Sequence, residues 1–161
     1  MRFVSTYDAG LDDKRRVTIP ADFRAGLKSG VESDHVRVWP GEGPWLEGGD
    51  DAFIAALSRS TEDLAQDDPE MAEAATLAIL GSSRKLSIDS AGRMVLPDAF
   101  VEHAGLSIKG MVQFQGLGPY FRITSPKTGQ DMANTAREKT QAIKARIFAM
   151  ARRTVREGEP S

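Results

Sequence analysis

Apolar and polar positions change rhythm several times along the chain, and each change predicts an element. Residues 2–7 are short of charge and rich in Phe, Val, Thr and Tyr, a composition that favours a strand. An Asp-rich turn follows, and Val17, Thr18 and Ile19 continue as a second strand. Pro20 stops that ladder because it has no N–H to donate, and it is suited to opening a helix. Phe23 and Leu27, four residues apart, give this short helix a core-facing pair. Residues 36–39 form a third strand, and the Gly43-Pro44 turn leads to another aromatic strand position at Trp45. The order is strand, turn, strand, short helix, strand, turn, strand.

The same order occurs twice. Leu-Asp-Asp-Lys-Arg-Arg-Val-Thr-Ile-Pro-Ala-Asp-Phe at 11–23 matches Ile-Asp-Ser-Ala-Gly-Arg-Met-Val-Leu-Pro-Asp-Ala-Phe at 88–100. At an offset of 77, Asp12 meets Asp89, Arg16 meets Arg93, Pro20 meets Pro97 and Phe23 meets Phe100. A Gly-Leu pair closes both segments, at 26–27 and 105–106. A second block, Gly-Glu-Gly-Pro-Trp at 41–45, matches Gly-Leu-Gly-Pro-Tyr at 116–120. Two blocks in one order identify a tandem duplication. One copy of about 45 residues is near the lower limit for an independent core, and two copies packed together remove that shortage.

The periodicity between and after the copies is helical. Phe53, Ile54, Leu57 and Leu64 share one spacing, and Met71, Ala75, Leu77, Ala78 and Ile79 resume it after Pro69. Asp67 or Asp68 before Pro69 reads as an N-cap, so two linker helices are expected. Met132, Ala136, Ile143, Ile147 and Met150 then predict one amphipathic helix over 126–156, ending near Gly158 and Pro160. The predicted class is mainly β with peripheral helices (α+β). Its divisions are a first repeat at 1–49, a helical acidic linker at 50–81, a second repeat at 82–125, and a basic amphipathic helix and tail at 126–161.

Composition narrows the chemistry. The chain has 161 residues, 40% of them apolar, enough for one compact domain or two small units sharing a core. It has no cysteine, which excludes a disulfide framework, a thiolate zinc site and a cysteine nucleophile. Residues 1–17 hold no apolar run of signal-peptide length, and no window nears the 18 or so apolar residues of a membrane span. The net charge of −2 conceals segregation. Residues 41–80 carry ten acids and one base, whereas 126–156 carry eight bases and two acids. Such a chain can offer a polyanion one face while another repels it, although solvated helices also carry charge runs.

The candidate chemistry lies in the two Asp-x-x-x-Arg turns. Asp12 and Asp89 can accept hydrogen bonds from the backbone N–H groups that follow, and Gly92 can take the left-handed conformation that closes the turn. Strand alternation then sends Arg93 to the face opposite Met94. In the first copy Arg15 stands where Gly92 stands in the second; a left-handed arginine costs about 1–2 kcal/mol, or the turn differs. Lys14, Arg15 and Arg16 are adjacent cations on that turn, and guanidinium groups there suit phosphate oxygens and guanine edges. The competing structural reading pairs Arg16 and Arg93 with Asp12 and Asp89 across their own turns.

Leu-Asp-Asp-Lys-Arg-Arg-Val-Thr-Ile-Pro at 11–20 together with Ile-Asp-Ser-Ala-Gly-Arg-Met-Val-Leu-Pro at 88–97 resembles the MraZ family of bacterial transcriptional regulators, which have two tandem SpoVT-AbrB-like repeats. The resemblance spans nearly the whole chain, with Gly-Leu-Gly-Pro-Tyr-Phe at 116–121 in its place. It implies AbrB-like swapped-hairpin repeats that form one double-split β-barrel as an intramolecular pseudo-dimer. It implies a homo-oligomeric ring of about eight subunits. That ring would bind double-stranded DNA at repeated promoter elements of the division and cell-wall gene cluster, in the cytoplasm and on the nucleoid. It implies no catalysis, cofactor, metal, membrane or small-molecule substrate. It links Arg16 and Arg93 to DNA, with Lys14 and Arg15 beside them and Asp12, Asp89 and Gly92 shaping the turns. Arg15 departs from the glycine of the family's Lys-Gly-Arg run.

Other classes fit the residues less well. The two histidines, His35 and His103, lack metal-ligand spacing, and neither Gly-x-Gly run precedes a helix as a phosphate loop does. An AbrB-like antitoxin is expected to carry one repeat and a disordered toxin-binding tail. A protein-interaction ring that binds no DNA would use the Met and Ile stripe of 132–150 for a partner.

Overall fold

The computed structural model describes residues 2–27 and 34–160. Its elements follow the duplicated order. The first set is β1 (Thr6–Gly10), β2 (Arg16–Thr18), α1 (Ala21–Leu27), β3 (His35–Pro40) and β4 (Leu46–Gly49). Linker helices α2 (Asp51–Asp67) and α3 (Pro69–Ala75) come next, α3 running into a π-helical turn at Thr76–Leu80. The second set is β5 (Arg84–Ser87), β6 (Arg93–Val95), α4 (Asp98–His103), β7 (Met111–Gly116) and β8 (Phe121–Thr124). Helices α5 (Pro126–Thr140) and α6 (Lys144–Gly158) complete the chain. No described helix is long and apolar enough to cross a membrane. The class is α+β, as expected.

The sheet order is β1-β7-β8-β4-β3-β5, all antiparallel, and β2 pairs with β6 in a separate two-stranded ribbon, with Val17 also bridging to Leu11. Exchanging each strand for its counterpart in the other set leaves both orders unchanged. The outer strands pair across the duplication: β1 with β7, and β5 with β3. No ladder among the described residues closes the sheet and the ribbon into the barrel that the resemblance implies. Pro20 and Pro97, which lack N–H groups, follow β2 and β6 closely and keep the ribbon short.

The core lies against the inner side of the ribbon. Val17 and Met94 face inward from it, joined by Ile19 and Leu96 just beyond the strands. Phe3, Phe23, Phe114 and Phe121 form an aromatic cluster, with Phe23 edge-on to Phe3, Tyr7 and Phe114 at 5.5–6.0 Å. Each such pair adds about 0.5–1.5 kcal/mol beyond its area burial. Phe23 and Leu27 are both buried, so the predicted core-facing pair of α1 is present.

Two element boundaries differ from the sequence reading. The first strand begins at Thr6, because Ser5 has φ 77° and breaks the extended run; Phe3 bridges separately to Gly118. The predicted single C-terminal helix is two helices. At Thr140 the hydroxyl bonds back to the Ala136 carbonyl at 2.8 Å, and Ile143 N–H reaches only as far as the Thr140 carbonyl. Such local bonds compete with the helical ladder. Of the two candidate caps before Pro69 it is Asp68 that caps α3, accepting from Met71 N–H; α2 is capped by Asp50, which accepts from Phe53 N–H and which the sequence reading did not single out.

The chain divides into two compact units, Met1–Gly129 and Gln130–Ser161. Within the first, His35 and Arg37 of β3 both contact Asp51 at the start of α2, each at 2.8 Å. Arg37, then His35, holds the Asp51 carboxyl below the usual carboxylate range. Arg2 also donates to buried Asp50, so the N-terminal segment and β3 together fix where the linker begins. The second unit holds most of α5 and all of α6.

Candidate nucleic-acid interface

The two Asp-x-x-x-Arg segments fold into the same turn. In the first, Asp12 Oδ1 accepts from Lys14 N–H at 2.9 Å and from Arg16 N–H at 2.8 Å. In the second, Asp89 Oδ1 accepts from Ala91 N–H and Arg93 N–H, both at 2.9 Å. The backbone closes alike, Asp12 N–H to Arg16 O and Asp89 N–H to Arg93 O. Residue four of each turn is left-handed: Arg15 at φ 62° and Gly92 at φ 79°. Arg15 therefore adopts the conformation that its counterpart glycine takes freely, and the turn keeps its shape.

Both arginines are anchored through one edge. Arg16 Nε donates to Asp12 Oδ2 at 2.6 Å, and Arg93 Nε to Asp89 Oδ2 at 2.9 Å. The pairing across each turn is thus present. It engages Nε, and among the described residues no other side-chain partner of either guanidinium is found. The Nη groups remain able to take two acceptors of one phosphate or one guanine edge. Both carboxyls sit below the usual range, chiefly because the arginine's backbone N–H donates to each; the guanidinium and one further backbone N–H add to this.

The ribbon sets the two arginines on one face. Arg16 pairs with Val95 and Thr18 with Arg93, so all four point outward while Val17 and Met94 point into the core. Arg16 and Arg93 are diagonal neighbours across the ladder, roughly 7–8 Å apart in backbone position and somewhat nearer at Cβ. Reciprocal bonds lock the arrangement: Ile19 N–H donates to Gly92 O and Leu96 N–H to Arg15 O, both at 2.9 Å. The left-handed residue of each turn is held by the strand end of the other copy.

The remaining cations differ in their commitments. Lys14 is exposed at the tip of its turn. Arg15 folds back onto the second copy, with Nε 2.9 Å from Leu96 O and Nη1 3.1 Å from Asp98. Arg24 of α1, which the sequence did not single out, lies over the second turn, where a Cβ at Gly92 would collide with its guanidinium. Its Nη1 is 3.4 Å from Ala91 O. No local motif marks Arg24, because its neighbour is 67 residues away in sequence. The histidines are held apart from this face, His35 at Asp34 and Asp51 and His103 at the Gly41 carbonyl. Among the described residues no three His, Asp or Glu side chains are grouped to hold a metal ion.

No family model matches the chain. The solution structure of PHS018 from Pyrococcus horikoshii aligns at 12% identity, covering 76% of this chain and 89% of that one, but its TM-score of 0.32 carries no argument. Curated relatives are much nearer. The transcriptional regulator MraZ of Hyphomonas neptunium is 38% identical over 127 residues, 78% of this chain and 73% of that protein. MraZ of Azorhizobium caulinodans is 36% identical over 146 residues, 89% of each, and that of Xanthobacter autotrophicus 37% over 150 residues, 90% and 93%. With identity at this level across nearly the full length of both partners, the chain belongs to the MraZ family of transcriptional regulators.

Proposed function

We propose that this protein regulates transcription by binding double-stranded promoter DNA through the outward face of the β2–β6 ribbon and its two flanking turns. One observation carries the reading: two turns with the same hydrogen bonds present Arg16 and Arg93 on one face of a single ribbon. Arg16 and Arg93 read or clamp the DNA through their Nη edges, and Lys14 neutralises phosphate. Arg15 adds charge while its side chain holds the second copy; Asp12, Asp89 and Gly92 shape the turns. On this reading the two sequence copies are AbrB-like swapped-hairpin repeats, and the strand order that is unchanged by their exchange supports an intramolecular pseudo-dimer. The protein acts as a homo-oligomeric ring of about eight subunits on repeated elements of the division and cell-wall promoter, in the cytoplasm and on the nucleoid. A single ribbon that neutralises a few phosphates binds weakly, whereas several on one rigid assembly gain avidity when the DNA repeats match their spacing.

The test is a gel shift on DNA from upstream of the protein's own gene, with scrambled DNA as competitor. The native chain should retard the upstream fragment selectively. Arg16→Ala with Arg93→Ala should lose the shift while keeping the native circular dichroism spectrum and particle mass. Unchanged retardation by that double variant would overturn the assignment of these residues.

A further inference from the structure

A cavity of about 310 Å³ opens between the linker and the large sheet. Its walls come from β3, β4, α2, the π-helical turn and the connections that follow β3 and β7, all within the first compact unit. Three rings form one wall. Phe53 of α2 stacks on Trp39 at 5.9 Å and on Tyr120 at 5.1 Å, the latter within 6° of parallel. The stack covers both faces of Phe53, whereas each end ring keeps one face outside it. Both Gly-x-Gly-Pro-aromatic blocks reach the cavity, with Glu42 from the first and Tyr120 from the second, and the ribbon reading uses neither.

The duplicated fold does not require this opening. Glu47 and Arg122 face each other in the β4–β8 pairing, so α2 and α5 follow at equivalent distances. They are capped alike: Asp50 accepts from Phe53 N–H and Ser125 from Thr128 N–H. In the second copy Gly129 of α5 sits flush on the sheet, where a Cβ would collide with the Gln113 and Thr124 side-chain oxygens. The first copy carries Ile54 at the matching position, and Phe53 beside it lines the open cavity.

The electrostatics of the lining select the ligand. Among the described residues no Lys, Arg or His lines the cavity, whereas Glu42 and Glu47 do. Glu47 Oε1 accepts from Trp39 Nε1 at 3.2 Å, which holds the carboxylate beside the rings. Its Oε2 is 3.7 Å from Arg122, whose guanidinium lies over the Trp45 ring. Ala78 and Ile79 come from the last turn of the linker's helical run, the negative end of its dipole, and that turn has no basic residue. Aromatic faces are negative as well. A π-helical turn such as Thr76–Leu80 often accompanies a binding site.

We propose that the cavity binds a small organic cation, an ammonium group bearing apolar substituents. Its charge meets Glu42, Glu47 and the uncovered aromatic faces, and its substituents fill the apolar remainder beside Ile79. An anionic ligand would meet only like charge. The proposal stands apart from the DNA reading, because among the described residues none from the ribbon or its two turns lines the cavity.

Isothermal titration of the full-length protein with benzyltrimethylammonium tests it, with benzyl alcohol and benzoate as neutral and anionic probes. The cation should saturate one site per chain with a dissociation constant below roughly 1 mM, about tenfold or more tighter than benzyl alcohol, and benzoate should give no saturable heat. Glu42→Gln with Glu47→Gln should weaken the cation about tenfold. Ala78→Trp, at an exposed position of the π-helical turn, should abolish binding by filling the cavity while the circular dichroism spectrum stays native. If the double variant fails to fold, Glu42→Gln alone, also at an exposed position, should still weaken the cation. The absence of saturable binding by the native chain, or benzyl alcohol binding as tightly as the cation, would overturn the proposal. So would binding that survives Ala78→Trp, which would mark a general attraction to the acidic linker. Tighter binding by a chain carrying Arg152→Gln and Arg153→Gln would make the chain's own tail the occupant, and the proposal would fall.

Discussion

Arg15 and Gly92 solve the same backbone problem with different side chains. Arg15 bears a left-handed cost of about 1–2 kcal/mol, offset by its bond to the Leu96 carbonyl and its ion pair with Asp98. Gly92 bears no such cost, and the space above it holds the Arg24 guanidinium. Gly92→Ala should therefore both strain the turn and displace Arg24, lowering stability by about 1–2 kcal/mol in a urea titration. On the proposed function, Arg16→Ala and Arg93→Ala should each cost about 1–3 kcal/mol of DNA affinity, read by fluorescence anisotropy. The two aspartates give the fold a pH signature. Their carboxyls are held below the ordinary value of 3.8, so each contributes stability above that value and loses it as pH falls through the lower folded one. Stability set by these groups should be flat near neutrality and decline in acid. Asp12→Asn with Asp89→Asn should flatten the acid limb of a plot of urea midpoint against pH.

At the scale of elements, the ribbon depends on aromatic packing beneath it. Phe23 is fully buried among Phe3, Tyr7 and Phe114, and Phe23→Ala should destabilise the protein by about 3–5 kcal/mol in thermal or urea denaturation. Much of this layer is legible in the sequence because its signals are local. The repeated Asp-x-x-x-Arg and Pro mark the turn, strand and short helix, and an aspartate before Pro69 marks the second linker helix, although the choice of Asp68 over Asp67 is made only in the fold. The outward direction of Arg93 follows from strand alternation alone. Other features have no local signature. The break at residues 141–143, where Ile143 N–H bonds to the Thr140 carbonyl in place of a carbonyl four residues back, leaves no mark in the apolar periodicity. The strand pairings β1 with β7 and β5 with β3, and the approach of Arg24 to Gly92, join residues far apart in sequence, where each partner looks ordinary alone.

Over the whole molecule, charge is arranged by region: cationic turns at the ribbon, an acidic linker and a basic tail. If the ribbon binds DNA, the logarithm of affinity should fall linearly with the logarithm of salt concentration, as released counterions require. A flat salt response in the anisotropy titration would point to a protein partner. The cross-pairing has a separate mechanical consequence. Because β1 lies on β7, β3 on β5 and β2 on β6, the peptide bonds of the linker are not what holds the two halves together. A protease cut within that linker should yield two fragments that co-elute as one native particle and part only in denaturant. Expressed as separate chains, the same halves should be poorly folded alone and reconstitute each other when mixed.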